Sequence, residues 1–189
     1  DELALAAGKD PIQFRMGMLG NEPRISNVLK IVAEKSGWGR KLPKGRALGV
    51  AIMEGYGTYM AQVAEVSVSE GNVKVHKVWV ASDQGRMVNP EIVRQQLESG
   101  IIYGLSGALY TQNTVANGRV QQSNFNDFTP IRQNQSPVID ITLVDSSEKP
   151  GGVGEPSTSL IGPAVANAIF AATGKRIRSM PLAQGLKSA

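Results

Sequence analysis

The residues with the clearest chemical potential form a glycine-rich segment, Gly151 to Pro156, whose sequence is GGVGEP. Glycine allows the backbone to approach a ligand closely, and a proline restricts the chain beside it. The segment lies between a predicted strand, Val138 to Val144, and a predicted helix, Pro163 to Thr173. This order gathers backbone N–H groups around the loop, which suits an anionic or strongly polar ligand. Glu155, the one carboxylate in the segment, is the candidate general base.

The common nucleotide-binding patterns do not fit this loop. No Lys followed by Ser or Thr stands where a Walker A loop has them, and Ser157 occupies the position of the third glycine in G-x-G-x-x-G. Two interpretations of Glu155 stay open on residue types alone: a catalytic base, or a solvated loop carboxylate near a helix start. For the whole chain, the alternatives to an enzyme are a non-catalytic module that binds anions or nucleotides and a purely structural fragment.

Other residues offer weaker chemistry. His76 is the single histidine and lies beside lysines in a predicted strand, which favours an exposed position over a catalytic one. Asp83 is interpreted as a turn-forming side chain, and Glu98 as a helix-surface residue. Arg132 could bind an anion, although a solvated surface role is the preferred interpretation. No cluster of His, Cys and carboxylate residues predicts a metal site.

The composition is that of a globular protein with one core or two small subdomains. The chain has 189 residues, of which 41% are hydrophobic and 19% charged, and its net charge is +4. No basic run suggests nucleic-acid binding, and the densest basic cluster, Lys175 to Arg178, is predicted at a helix C-terminus. The absence of cysteine excludes disulfides and iron–sulfur clusters held by this chain. No apolar run reaches the roughly 18 residues of a membrane span. Because the sequence opens with Asp1, we expect it to be part of a longer polypeptide.

The order of predicted elements indicates an α+β fold with helices packed on an antiparallel sheet. Residues 1–46 are predicted to be a mainly helical lead-in, and residues 47–189 an α+β body that carries the loop at residues 151–156. Valines that alternate on both sides of a turn at residues 69–72 predict an antiparallel hairpin. Asn89 and Pro90 are typical of the start of a helix, with Asn as N-cap.

Two further segments have distinctive composition. Gly100, Gly104 and Gly107 lie on the helix predicted after Pro90, and they should form notches where a neighbouring element packs closely. An Asn117-Gly118 turn then precedes a polar segment, residues 121–137, rich in Asn and Gln. That segment is expected to be a long surface loop, or a buried irregular loop whose amides contact a ligand or another chain.

Taken together, these motifs resemble the C-terminal part of the molybdenum-binding large subunit of the xanthine dehydrogenase/aldehyde oxidase family. Within that family, the similarity is to the large subunits of bacterial isoquinoline 1-oxidoreductase-like enzymes. The resemblance covers nearly the whole chain, and the Gly-Val-Gly-Glu loop is its most specific element. The matching segments are Asp1 to Ala4, Gly8 to Pro11, Phe14-Arg15, Gln62 to Val66, Asp83 with Gly85 to Pro90, Gly151 to Pro156, and Ala164 to Gly174.

This resemblance implies a function for the loop. The corresponding glutamate in the family is the active-site base, so Glu155 takes that role, and Gly152, Val153 and Gly154 take the backbone contacts to the cofactor. The implied cofactor is a molybdenum–pterin dinucleotide, in its cytosine form, and the implied reaction hydroxylates an aldehyde or an N-heterocycle carbon with oxygen derived from water. The [2Fe-2S] clusters are expected on an iron–sulfur small subunit or domain, which fits the absence of cysteine.

The sequence departs from the family in two ways. Ser99 stands where related sequences often have Gly in a Gln-x-Glu-Gly pattern, so neither Gln96 nor Glu98 receives a site role. The chain also resembles only about the last quarter of a molybdenum subunit, so we expect the isolated chain to be inactive and the remainder of the subunit to complete the site. Related enzymes occur in the cytoplasm and in the periplasm, and the compartment is left open.

Overall fold

The computed structural model describes residues 1–188, with the side chains of residues 1–186. The helices and strands are, in chain order, α1 (Glu2–Ala6), α2 (Pro11–Met18), α3 (Pro23–Ser36), β1 (Arg46–Gly55), β2 (Thr58–Ser69), β3 (Asn72–Asp83), α4 (Pro90–Leu109), β4 (Val115–Ala116), β5 (Arg119–Val120), β6 (Val138–Leu143), α5 (Pro156–Thr173) and α6 (Leu182–Ser188). A short 3-10 helix at Gln133–Gln135 precedes β6. None of the helices within residues 1–188 combines the length and the apolar character that crossing a membrane requires.

The main sheet has the strand order β1-β2-β3-β6, and its first three strands are antiparallel. The predicted α+β fold, with helices packed on an antiparallel sheet, is confirmed. The fourth strand differs, because β6 runs parallel to β3, from Lys77 opposite Val138 to Ser82 opposite Leu143. Parallel neighbours need a crossover connection, and the chain between them includes α4.

Two-residue turns connect the antiparallel strands. At Tyr56 and Gly57, between β1 and β2, the φ angles are 59° and 75°. Positive φ at both positions is the geometry of a type I′ turn, whose twist matches that of the flanking strands. The predicted turns at residues 69–72 and at Asn117-Gly118 are confirmed, and both also contain two consecutive residues with positive φ.

Helices cover both faces of the main sheet. Along β2, Val63 faces the side covered by α3, and Ala64 faces the side covered by α4 and α5, as the two-residue period of a strand requires. The helix predicted after Pro90 is present as α4, and its apolar face packs in the core, where Leu97, Ile101 and Leu105 are completely buried. Burial of each of these side chains contributes about 1.5–3 kcal/mol.

Glycines on α4 allow α5 to approach closely. A Cβ on Gly100 would lie 2.1 Å from Ser157 Oγ, and one on Gly104 would lie 2.6 Å from Ile161 Cγ2. The predicted notches are therefore present at these two positions. At Gly107 the prediction is wrong, because no described atom lies within 4 Å of the added Cβ.

Helix α5 is longer than predicted. It begins at Pro156 and passes through Pro163, where the sequence indicated its start. A proline inside a helix removes one backbone hydrogen bond and costs about 3 kcal/mol. Leu160 and Ile161, in the turn before Pro163, are buried against the sheet and α4, and each contributes a comparable free energy. Tertiary packing thus overrides the local signal, and the glycine loop ends where α5 begins.

The basic cluster follows the end of α5, in agreement with its predicted place. The helix ends at Gly174, whose φ is 75°. Arg176 stacks its guanidinium 3.6 Å from the centroid of the Phe170 ring, and Arg178 Nη1 lies 2.8 Å from Glu2 Oε1. The first contact holds the segment against α5, and the second attaches α1 to it.

Glu65 is a buried carboxylate on the face of β2 that is covered by α3. Its side chain is 6% exposed, and its oxygens lie 2.6 Å from Arg40 Nη2 and 2.6 Å from Arg46 Nη1. Burial opposes its charge, but the hydrogen bonds from Arg46 and Arg40 outweigh burial and lower the pKa of Glu65. Both oxygens are therefore occupied, and Glu65 is a structural group.

We expect Glu65→Gln to destabilise the protein by about 1–3 kcal/mol at pH 7, because Arg40 and Arg46 both lose their charged partner and one of them also loses its hydrogen-bond acceptor. A carboxylate with a lowered pKa contributes its stability above the unfolded value of about 4.3 and loses it as pH falls through the folded value. The difference between wild type and variant should therefore shrink below about pH 4. Urea unfolding at pH 7 and at pH 3.5 measures this. Glu34→Gln, at an exposed position on α3, is the control, and an equal effect of the two substitutions would contradict the assignment.

Candidate active site

The glycine loop is held by backbone contacts to the turn between β1 and β2 and to the end of β3. The Gly151 N–H donates to Gln84 O at 2.7 Å, and the Gly152 N–H donates to Tyr56 O at 2.8 Å. On its other side, the Gly152 carbonyl accepts a hydrogen bond from Thr58 Oγ1 at 2.7 Å. A Cβ on Gly151 would lie 2.6 Å from Gly57 O, so only glycine fits between the two backbones.

Beyond Gly152 the loop presents free backbone donors. Among the described residues, the N–H groups of Val153, Gly154 and Glu155 have no hydrogen-bond acceptor. No described atom lies within 4 Å of a Cβ built on Gly154, so that side of the loop is open. These donors immediately precede an 18-residue helix, whose N-terminal end carries partial positive charge. The loop can therefore receive an anionic or strongly polar group.

Glu155 occupies the N-cap position of α5. Its backbone carbonyl accepts from the Thr158 N–H at 3.0 Å, which begins the helix. Its side chain makes no capping hydrogen bond, is exposed, and forms no ion pair with the described part of the chain. The carboxylate is thus held at a fixed backbone position with both oxygens available to a reacting group.

Polar side chains lie buried beneath the loop, and the sequence analysis did not identify them as a group. Gln62 is completely buried and donates from Nε2 to Ser157 O at 3.0 Å. Gln84 is 2% exposed, and its backbone carbonyl holds the loop at Gly151. The buried atoms with no partner among the described residues include Gln62 Oε1, Ser82 Oγ, Gln84 Oε1 and Nε2, and Ser157 Oγ.

Such a cluster normally needs partners, since a buried polar atom without a hydrogen bond costs about 1–3 kcal/mol. A signal for it exists in the sequence, because Gln62 and Ser82 stand in otherwise apolar stretches of β2 and β3. The alternation of residues along each strand does not by itself show that β2, β3 and α5 bring Gln62, Ser82 and Ser157 together.

Asp83 forms the turn predicted for it and also a long-range ion pair. Its Oδ1 accepts from the Gly85 N–H at 3.1 Å, which is the expected turn. Arg24 of α3 lies 2.7 Å from Oδ1 and 2.8 Å from Oδ2, and this arginine stacks over Tyr59. The hydrogen bonds from Arg24 lower the pKa of Asp83. Asp83 therefore fixes the segment that includes Gln84.

The structure does not bring the other candidates to the loop. His76 pairs with Ser67 Oγ at 2.8 Å, and burial lowers its pKa. It stands eight residues before Gln84 in the chain, which corresponds to roughly 25 Å along a strand. Glu98 is exposed on α4, and Arg132 is exposed at the start of the 3-10 helix. Within residues 1–188, no group of three or more His, Cys, Asp or Glu side chains could hold a metal ion.

The polar segment of residues 121–137 is largely an exposed loop. Phe125 is 78% exposed, and Asp127 accepts hydrogen bonds from the backbone of Ser123 and Asn124 at 3.0 Å. The loop rejoins the core through the Ile131 N–H, which donates to Ser106 Oγ at 3.0 Å. The prediction that residues 121–137 form a long surface loop is confirmed for this chain in the absence of a partner.

Sequence comparison with known families gives a single assignment. The molybdopterin cofactor-binding domain matches residues 32–137, which include most of the main sheet and all of α4. The chain belongs to this family. The matched region ends at residue 137, before the glycine loop, so the match supports the cofactor class independently of Glu155.

Relatives of this molybdopterin cofactor-binding domain align along almost its whole length. The isoquinoline 1-oxidoreductase subunit beta of Brevundimonas diminuta is 39% identical over 98% of the chain and 24% of its own length. A membrane-bound aldehyde dehydrogenase of Gluconacetobacter polyoxogenes, described as using pyrroloquinoline quinone, is 37% identical over 96% of the chain and 26% of its own length. The domain thus spans about a quarter of the relatives that it matches.

A solved structure shows the same fold. The aldehyde oxidoreductase of Desulfovibrio desulfuricans superimposes with a TM-score of 0.61 and 25% sequence identity, over 70% of this chain and 15% of the other. This agreement confirms that the fold is of the molybdopterin-binding type found in aldehyde oxidoreductase.

We expect Gly151→Ala to destabilise the protein by about 1–3 kcal/mol, because its Cβ would meet Gly57 O and the loop or the turn must move. Gly154→Ala is the matched control within the same loop, since its Cβ meets no described atom within 4 Å. Chemical denaturation of both variants measures the difference in the free energy of unfolding. Equal stability of the two variants would show that the close approach at Gly151 is absent in solution.

Proposed function

We propose that this chain is the C-terminal portion of the molybdopterin-binding domain in the catalytic subunit of a molybdenum hydroxylase. The observation that carries the proposal is the position of Glu155 in a chain of the molybdopterin cofactor-binding family. Glu155 is an exposed carboxylate on a firmly held loop, and its side chain has no partner among the described residues. Within this proposal, residues 1–46 are a mainly helical lead-in and residues 47–189 an α+β body that carries the loop.

The residues of the loop fit a molybdenum–pterin dinucleotide. Such a cofactor is polar and anionic, and the free N–H groups of Val153 and Gly154 at the start of α5 are the donors it needs. Gly152 brings the loop backbone to the edge of this surface. The orphaned polar atoms beneath the loop offer further neutral hydrogen-bonding groups. When bound, the cofactor supplies the two-electron oxidation that the side chains of this chain cannot perform.

In this function Glu155 accepts a proton. An ionised carboxylate has two acceptor oxygens and no donor, and those of Glu155 make no hydrogen bond or ion pair with the described residues. The substrate is an aldehyde or an electron-poor N-heterocycle, in which a carbon is hydroxylated with oxygen from water. The released proton passes to Glu155, whose backbone stays fixed by the first turn of α5.

The remainder of the protein supplies what this chain lacks. The chain spans about a quarter of its relatives' length, so we expect the isolated chain to be inactive and the substrate pocket to include residues from the rest of the subunit. The sequence has no cysteine, so any [2Fe-2S] clusters lie on a partner subunit or domain. The proposed cofactor form is the cytosine dinucleotide.

A second candidate is a module that binds anions without catalysis, which the free loop N–H groups also favour. Isothermal titration of the chain with nucleoside diphosphates separates the two, since the molybdenum proposal expects no simple nucleotide binding by the chain alone. Metal analysis and quinone extraction of the purified holoenzyme decide between molybdenum and the pyrroloquinoline quinone described for one relative.

We expect Glu155→Gln in the holoenzyme to lower kcat by about 10²–10⁴-fold, because the amide cannot accept the proton, while the molybdenum content stays unchanged. Steady-state kinetics with an aromatic aldehyde and with an N-heterocycle, together with elemental analysis, measure both quantities. Glu148→Gln, at an exposed position shortly before the same loop, should keep wild-type turnover. Near-normal activity of Glu155→Gln would exclude Glu155 as the base.

A further inference from the structure

The turn between β1 and β2 makes two hydrogen bonds to a single residue of the glycine loop, Gly152. Gly152 donates its N–H to Tyr56 O at 2.8 Å and accepts from Thr58 Oγ1 at 2.7 Å. Gly57, between them, would bring a Cβ to 3.5 Å from Gly151 Cα. The two segments therefore lie in direct van der Waals contact, and both backbone polar groups of Gly152 are used by the same turn.

The turn that makes this contact has an energetically costly backbone conformation. Tyr56 is not glycine and yet has a φ of 59°, a left-handed conformation that is a rare outlier for a bulky residue. Strained positions of this kind cost about 1–3 kcal/mol and are concentrated at functional sites. Here the conformation points the Tyr56 carbonyl at the Gly152 N–H.

Thr58 supplies the part of the contact that depends on a side chain. It is completely buried, and its hydroxyl has the Gly152 carbonyl as an acceptor at 2.7 Å. Without that hydroxyl, the Gly152 carbonyl loses its partner from the turn, and the peptide between Gly152 and Val153 can rotate. Rotation there redirects the next N–H groups and moves Glu155, which stands three residues after Gly152.

We propose that Thr58 is a positioning residue that fixes the loop so that Glu155 and the free N–H groups of Val153 and Gly154 face the reacting group together. Thr58 does not contact the substrate or the cofactor in this role; it acts through Gly152. The inference rests on the proposed function for its catalytic consequence, whereas its structural part concerns the loop alone. A one-ångström displacement of a catalytic group is enough to cost about 10²-fold in rate.

The test replaces Thr58 by Val in the holoenzyme, which keeps the shape of the side chain and removes the hydroxyl. We expect hydrogen–deuterium exchange at the amides of Gly151 and Gly152 to rise by about tenfold or more, because the local opening of the loop becomes easier. We expect kcat to fall about 10–100-fold, with KM changed less than threefold and molybdenum content retained. Thr58→Ser, which restores a hydroxyl, should return both the exchange rate and kcat close to wild type.

Thr173→Val is the matched control, because Thr173 Oγ1 also bonds a carbonyl, that of Ile169 at 2.8 Å, but at the opposite end of α5. It should leave loop exchange and kcat unchanged. Unchanged loop exchange in Thr58→Val overturns the proposal, as does a loss of kcat that Thr58→Ser fails to restore. If Glu155→Gln keeps its activity while Thr58→Val still loosens the loop, the proposed function fails and the structural role of Thr58 stands.

Discussion

Two backbones meet without side chains between them where the turn of β1 and β2 reaches the glycine loop, and the arrangement of the candidate site depends on this contact. Gly57 and Gly151 permit the approach, and the polar groups of Gly152 hold it. A loop of this composition is flexible by itself, because glycine has a wide choice of backbone conformations. The hydrogen bonds to Tyr56 and Thr58 remove that freedom, so the position of the carboxylate is determined by the sheet.

The sheet can act as a fixed support because it is buried on both faces. Helix α3 covers one face, and helices α4 and α5 cover the other. The ion pair of Arg24 with Asp83 joins α3 to the end of β3, and the next residue, Gln84, bonds the loop at Gly151. Packing on the far face of the sheet is thereby connected to the loop through a continuous series of polar contacts.

The sequence predicted those features that depend on residues close together in the chain. The start of α4 was found because Asn89 and Pro90 form a local N-cap signal, and Asn89 Oδ1 indeed accepts from the N–H groups of Glu91 and Ile92. The hairpin of β2 and β3 was predicted for a similar reason. The predictions differ from the structure where contacts between distant residues determine the local conformation. Pro163 lies inside α5 because of the tertiary packing of that helix. Strand β6 runs parallel to β3 because α4 returns the chain to the same end of the sheet.

In the candidate site, too, the residues within one short motif were predicted and those that depend on distant contacts were not. Glu155 and its glycines were identified from a contiguous motif, and the role that the family resemblance gave them stays a prediction. The family match covers residues 32–137 and supports the cofactor class alone. Thr58 and the buried cluster around Gln62 could not be identified, because their importance comes from contacts to residues 94 and 95 positions later. No periodicity within a strand encodes such a contact.

The salt bridge between Glu2 and Arg178 is an example of a contact that can form only late in folding. It joins residues 176 positions apart, and the contact of Thr58 with Gly152 spans 94. Contacts between distant residues form slowly, since the closure of a long loop must precede any stabilisation they provide. During synthesis, the turn of β1 and β2 leaves the ribosome well before its partner loop exists. The surface that would receive a cofactor therefore cannot form until residues 151–155 have been synthesised, and these residues follow the main sheet and α4 in the chain.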